Sequence, residues 1–165
     1  MMLAGMNAGW SQSLDHLKAS LSPYTKEIMT TLNPYIFFNG TCAEAFAFYR
    51  QCLGAEPVMM LPHRGTPAEA GTPPEWQDKI IHGRIKIGDI TVMASDAPPG
   101  RYHKPQGFAL TLGPKSVAEA ERMFAALSES GQVTMPLTET FFASRFGMVT
   151  DRFAIPWMIS CEKPA

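Results

Sequence analysis

No apolar run in this chain approaches the roughly 18 residues a membrane-crossing helix needs, so no transmembrane segment is expected. Excess positive charge is also missing. The 14 lysines and arginines face 15 aspartates and glutamates, for a formal net charge of −1, and the basic residues are scattered. Nucleic-acid phosphates are held by grouped cations, so nucleic acid is not the expected partner. Cysteine is scarce. Cys42, Cys52 and Cys161 are an odd number at no metal-ligand spacing, and they read as reduced thiols in a cytoplasmic protein. There is no Walker loop, no dinucleotide fingerprint and no Gly-x-Ser-x-Gly elbow. Residues 1–30 have neither a basic start nor a sustained apolar segment, so a secretory signal is not expected.

What the chain does have is an internal repeat. Thr41-Cys42-Ala43-Glu44-Ala45 returns as Ser116-Val117-Ala118-Glu119-Ala120, and Val58-Met59-Met60 as Val133-Thr134-Met135, each 75 positions later. Met93-Ala94-Ser95 returns as Met158-Ile159-Ser160 after only 65, so the second copy has a shorter middle. A hydrophobic fraction of 45% over 165 residues is enough for one domain of two modules with a shared core.

Residues 1–30 lie outside both copies and read as an N-terminal extension, with Leu14, Leu17 and Leu21 on one face of a short helix that Pro23 ends. From Pro34 to Phe38 the pattern is a buried strand, followed by the turn Asn39-Gly40. Thr41 and Glu44 have capping-box spacing at the start of a helix whose apolar face is Cys42, Ala45, Phe46, Tyr49 and Leu53, and Gly54 ends it. Strands follow at Pro57 to Leu61, Lys79 to Ile87 and Ile90 to Ser95, the last two joined by the hairpin turn Gly88-Asp89. The second copy runs through a strand at Phe108 to Leu112, a helix capped by Ser116 and stopped by Gly131, and strands near Val133–Leu137, Phe146–Thr150 and Pro156–Glu162.

This order of strand, helix and three strands, used twice, resembles the vicinal-oxygen-chelate superfamily of glyoxalases, bleomycin-resistance proteins and extradiol dioxygenases, and within it the PhnB-like branch. The residues carrying the resemblance include Pro34-Tyr35-Ile36-Phe37-Phe38-Asn39-Gly40, Met93-Ala94-Ser95-Asp96, Glu139-Thr140-Phe141-Phe142-Ala143 and Phe146 to Phe153, then Pro156-Trp157-Met158. The resemblance implies an α+β domain over residues 31–165. It would hold two βαβββ modules, about 32–97 and 105–162, related by a pseudo-twofold and each curled as a half-barrel around a cup. It also implies a small-molecule ligand and a homodimer. In metal-using relatives the ligands come from the first and last strands of each module, positions that fall here on Pro34, Met93, Phe108 or Ala109, and Met158. None offers an imidazole or carboxylate, so no metal and no cofactor is expected.

Candidate site residues follow from strand parity and from the cup the resemblance implies. His82, Arg84 and Lys86 alternate with isoleucines and share one sheet face. If that face is the cup, His82 is a general base or an anion contact; if it faces solvent, the row is a wet surface. Thr91, Met93 and Ser95 share a face by the same rule. Glu139 stands among aromatics, where a carboxylate's pKa can rise and it can trade a proton; the alternative is a solvated loop end or an ion pair with Arg145 or Arg152. Asp96 is either a group at the cup rim or turn chemistry before Pro98. Tyr35, Trp76, Phe141, Phe142 and Phe146 are candidate apolar walls, with Met93 and Met158 lining the cup; several of these aromatics read equally as core, Tyr35 above all. The expected function is a small-molecule binding protein. The alternative is a glyoxalase-like lyase or isomerase using a relocated metal or a His82/Glu139 acid–base pair.

Overall fold

The computed structural model describes residues 30–164. The helix expected around Leu14 to Leu21 lies outside them. The order is β1 (Tyr35–Phe38), α1 (Cys42–Leu53), β2 (Glu56–Pro62), β3 (Ile80–Ile87), β4 (Ile90–Asp96), β5 (Leu110–Leu112), α2 (Val117–Ser128), β6 (Gln132–Thr138), β7 (Ala143–Thr150) and β8 (Pro156–Glu162). Two short 3-10 turns, Glu69–Gly71 and Pro74–Trp76, interrupt the long β2–β3 loop. The result is the α+β fold of two repeated modules that the sequence implies.

Each module is one four-stranded sheet, ordered β1-β4-β3-β2 and β5-β8-β7-β6. In each, the first strand pairs parallel to the last and the other pairings are antiparallel. Pro57 in β2 and Pro136 in β6 explain why those strands sit at edges. Proline lacks the amide that a central strand donates on both sides.

Strand parity decides the two faces. In β1, Ile36 and Phe38 are buried while Tyr35 and Phe37 are exposed. Val92 and Ala94 of β4 join Ile85 of β3 beneath α1, and Trp157, Ile159 and Cys161 of β8 do the same in the second sheet. Both helices, with Tyr49, Phe153 and Trp157, merge these inner faces into one core. Arg122 of α2 donates to the Cys52 carbonyl at the end of α1, and the Arg152 guanidinium lies 4.6 Å from the Phe48 ring centre.

Helix ends depart from expectation in two places. Thr41 makes no side-chain cap. The Cys42 amide instead donates to Asp96 Oδ1, while Ile80 N–H donates to Asp96 Oδ2. Asp96 is therefore neither a rim group nor a turn former. It is a buried carboxylate tying the start of α1 to the start of β3. Ser116 caps α2 as expected, accepting from Glu119 N–H. The helix stops at Ser128, and the left-handed residue is Ser130 rather than Gly131. Gly54 ends α1 in the left-handed conformation, as its position predicts.

Among the described residues, Asp151 is the most heavily used polar side chain. Its Oδ1 accepts from the amides of Phe153 and Ile155, and its Oδ2 from Tyr49 Oη at 2.7 Å and Trp157 Nε1 at 2.8 Å. Burial first, and then the Asp151 charge, hold the Tyr49 hydroxyl well above its ordinary pKa.

All three cysteines are free and buried. Burial, reinforced by Asp96, pushes the Cys42 thiol up to about 12, and burial pushes Cys52 up to about 11. Thiolate is the reactive form. In native protein a thiol reagent at pH 8 is thus expected to label these two cysteines far more slowly than in guanidinium, as absorbance of the released chromophore records. Full labelling of the folded protein within seconds would contradict this burial.

Candidate functional site

The helix-free face of each sheet is where side chains remain open. In the first sheet the register sets Tyr35, Met93, Arg84 and Met59 in one row across β1, β4, β3 and β2. His82, one parity step away, lies opposite Leu61 on the same face, and Ser95 lies beside Phe37. The basic row of β3 therefore shares a face with Met93 and Ser95. Tyr35 corrects the sequence reading: it is 40% exposed on this face, not core. Its ring stacks on His82 with centres 5.8 Å apart and tilts against Phe37 at 5.1 Å.

The helix-free face of the second sheet has a different character. Thr111, Met158, Met148 and Met135 form its row, with Phe146 opposite Ser160. It is rich in thioether and neutral hydroxyl groups, with Thr111 Oγ1 3.8 Å from the Met158 sulfur. Met158 and Phe146 are thus on a different sheet from His82, Met93 and Ser95.

The remaining candidates lie at loops. The Trp76 indole edge and the Lys79 stem both lie over Gly40, just past the end of β1, and the buried Trp76 Nε1 has no partner among the described residues. Phe141 is 93% exposed at the β6–β7 turn, and Phe142 bridges it to Phe146. Glu139 is exposed and paired with Lys163 at 2.9 Å. The Lys163 ammonium holds its carboxyl below the usual range, so the solvated ion pair prevails over the raised pKa, with Lys163 as the cation rather than Arg145 or Arg152. The aromatics beside Glu139 are themselves solvated, so they do not strip it of water. Among the described residues, the His82 ring meets Tyr35 and Arg84, and Glu139 meets Lys163.

The donor set does not suit a divalent ion. Tyr35 and Thr111, rather than Pro34 and Phe108 or Ala109, stand across from Met93 and Met158. Two thioethers, a phenol and an alcohol are poor ligands for zinc, iron or manganese. Among the described residues no group of three or more His, Cys, Asp or Glu is placed to hold a metal. Two clefts, of about 560 and 450 Å³, lie around the β5–α2 connection at Gly113, Pro114 and Lys115, and none of the predicted site residues lines them.

Residues 31–159 match the model of the Glyoxalase/Bleomycin resistance protein/Dioxygenase superfamily. The chain belongs to that superfamily. It is 36% identical over 140 residues to YjdN of Escherichia coli K12, spanning 80% of this chain and 95% of YjdN. The crystal structure of protein PA1353 from Pseudomonas aeruginosa is 46% identical with a TM-score of 0.74, over 82% of this chain and 99% of that one. A PhnB protein from Bacillus cereus shares the fold at 19% identity and a TM-score of 0.69, over 80% of this chain and 99% of that one. Among the described residues no helix is long and apolar enough to cross a membrane.

Proposed function

We propose that this superfamily member is a small-molecule binding protein that completes its cup as a homodimer, with a helix-free sheet face of one copy closed by a second copy. One observation carries the reading. Large apolar side chains crowd the two faces that no helix covers, with Phe37 55% exposed on the face of Tyr35 and Leu61 in the first sheet and Met135 44% exposed on the second. Contiguous apolar surface of this kind marks a binding site or an interface. A cup between two such faces serves as both. It would be walled by Phe37 and Phe146, lined by Met93 and Met158, and supplied with polar groups by His82 and Ser95. Trp76 near the end of β1 and Phe141 on its turn would border the opening. The buried thiols fit a reducing compartment, and we place the protein in the cytoplasm.

Binding of this kind needs no catalyst. A His82/Glu139 acid–base pair would have to draw its Glu139 from the second copy, after release from Lys163.

Sedimentation velocity at micromolar concentration tests the assembly. The wild-type chain is expected to run as a dimer. Phe37→Asp, which sets a charge into the proposed interface, is expected to run as a monomer with an unchanged far-ultraviolet circular dichroism spectrum. A wild-type chain that stays monomeric across that range overturns the reading.

A further inference from the structure

The first sheet's outer face carries a proton arrangement that points to the charge of the ligand. Arg84 donates its Nε–H to His82 Nε2 at 3.3 Å, and His82 Nδ1 lies 3.3 Å from Tyr35 Oη. A guanidinium has donors only, so Nε2 must be the acceptor and the neutral ring carries its proton on Nδ1. That Nδ1–H donates to Tyr35 Oη. The tyrosine then keeps its own O–H free to donate elsewhere. Among the described residues, Arg84 also has no protein partner for Nη1 or Nη2.

The result is two sets of unused donors, held by one imidazole on either side of Met93. Tyr35 and Arg84 both flank Met93 in the register, so they lie over the same patch of sheet. Lys86 adds a second cation two residues along the same face. Among the register partners of His82, Arg84 and Lys86, the one carboxylate is Glu56, opposite Lys86. None stands opposite His82 or Arg84, whose partners are Leu61, Met59 and Met93. A fixed guanidinium with free donors, beside a free phenolic donor and two aromatic rings, is complementary to an acid group on an organic body.

We infer that the ligand is a small organic anion whose acidic oxygens lie between Tyr35 Oη and the Arg84 guanidinium, with its apolar part against Tyr35 and Phe37. His82 is a positioning residue. It fixes the direction of both donors and need not touch the ligand. This inference rests on the cup reading above and adds the charge of the occupant.

Matched pairs of probes separate the two ideas: 2-naphthoate against 2-naphthamide, and benzoate against benzamide, each titrated by calorimetry into the dimer at pH 8. Wild-type protein is expected to prefer each acid over its amide by about tenfold or more, as a charge-assisted bond over a neutral one requires. Arg84→Gln is expected to reduce that preference to within about twofold, and Arg84→Lys to keep part of it, since an ammonium retains the charge but not the fork. Lys115→Gln, which removes a cation from the second module, is expected to leave the preference intact. Equal affinity for acid and amide in the wild type overturns the anion inference and leaves the cup reading standing. A preference that survives Arg84→Gln overturns the assignment to this cluster. A dimer that binds none of the four probes overturns both.

Discussion

Asp151→Ala is expected to lower the unfolding free energy by about 3–5 kcal/mol in urea titrations, the range seen when one partner of a buried polar network is removed. The aspartate is buried, and four donors converge on it: two amides of its own turn, the Tyr49 hydroxyl of α1 and the Trp157 indole of β8. Deleting the carboxylate leaves all four without an acceptor, three of them fully buried and the Phe153 amide partly so. Domains of this size hold only about 5–15 kcal/mol in total, so the variant is expected to be partly unfolded at 37 °C. Asp151→Asn keeps the shape but turns an acceptor into a donor that faces other donors, and it should recover little. Tyr49→Phe removes a single donor and should cost much less than either. An Asp151→Ala loss below about 1 kcal/mol would show that the network is not what joins the modules.

Gly131→Ala is expected to cost about 3 kcal/mol, from steric conflict rather than from a strained dihedral. A Cβ at that position would lie 2.6 Å from the Thr150 carbonyl oxygen and 2.9 Å from that of Leu127, with the Asp151 Cα at 3.2 Å. All three are backbone atoms, so no side chain can swing away, and β6 would have to part from β7. Gly113→Ala is the control. A Cβ there would meet nothing within 4 Å and its φ is not positive, so its cost should be close to zero. Equal urea midpoints for the two variants would refute the steric account.

The regular elements were legible in the sequence because their signals are local. Period two grouped His82 with Arg84 on one face of β3 and Met93 with Ser95 on one face of β4, since side-chain direction within a strand follows from parity, but that the two groups share a face came only with the pairing of Arg84 and Met93. Partners drawn from distant segments were not legible. Thr41 had the spacing of a cap, but Asp96 at the end of β4 takes the Cys42 amide. Glu139 sat among aromatics in sequence, yet Lys163 beyond β8 neutralises it, and Phe141 turns outward. Tyr35 looked like core because its neighbours are apolar, and only the pairing of β1 with β4 shows which of those neighbours share its face. Asp151 left a faint signal, an aspartate opening a tight turn between two strands. Its bonds to Tyr49 and Trp157 are long-range and could not be read from spacing.

The parallel pairing of β1 with β4, and of β5 with β8, also sets an order of assembly. Strands β3 and β4 are antiparallel neighbours joined by a tight hairpin turn, and β6, β7 and β8 are antiparallel neighbours joined by short turns, so these can zip locally, while β2 reaches β3 across the long loop. Among the described residues the first strand of each module pairs with one strand far along the chain, so that pairing closes a long loop and is expected to form late. Tyr35 therefore reaches His82 in a late step of folding, and the face that would meet a ligand is the last part of its module to be built.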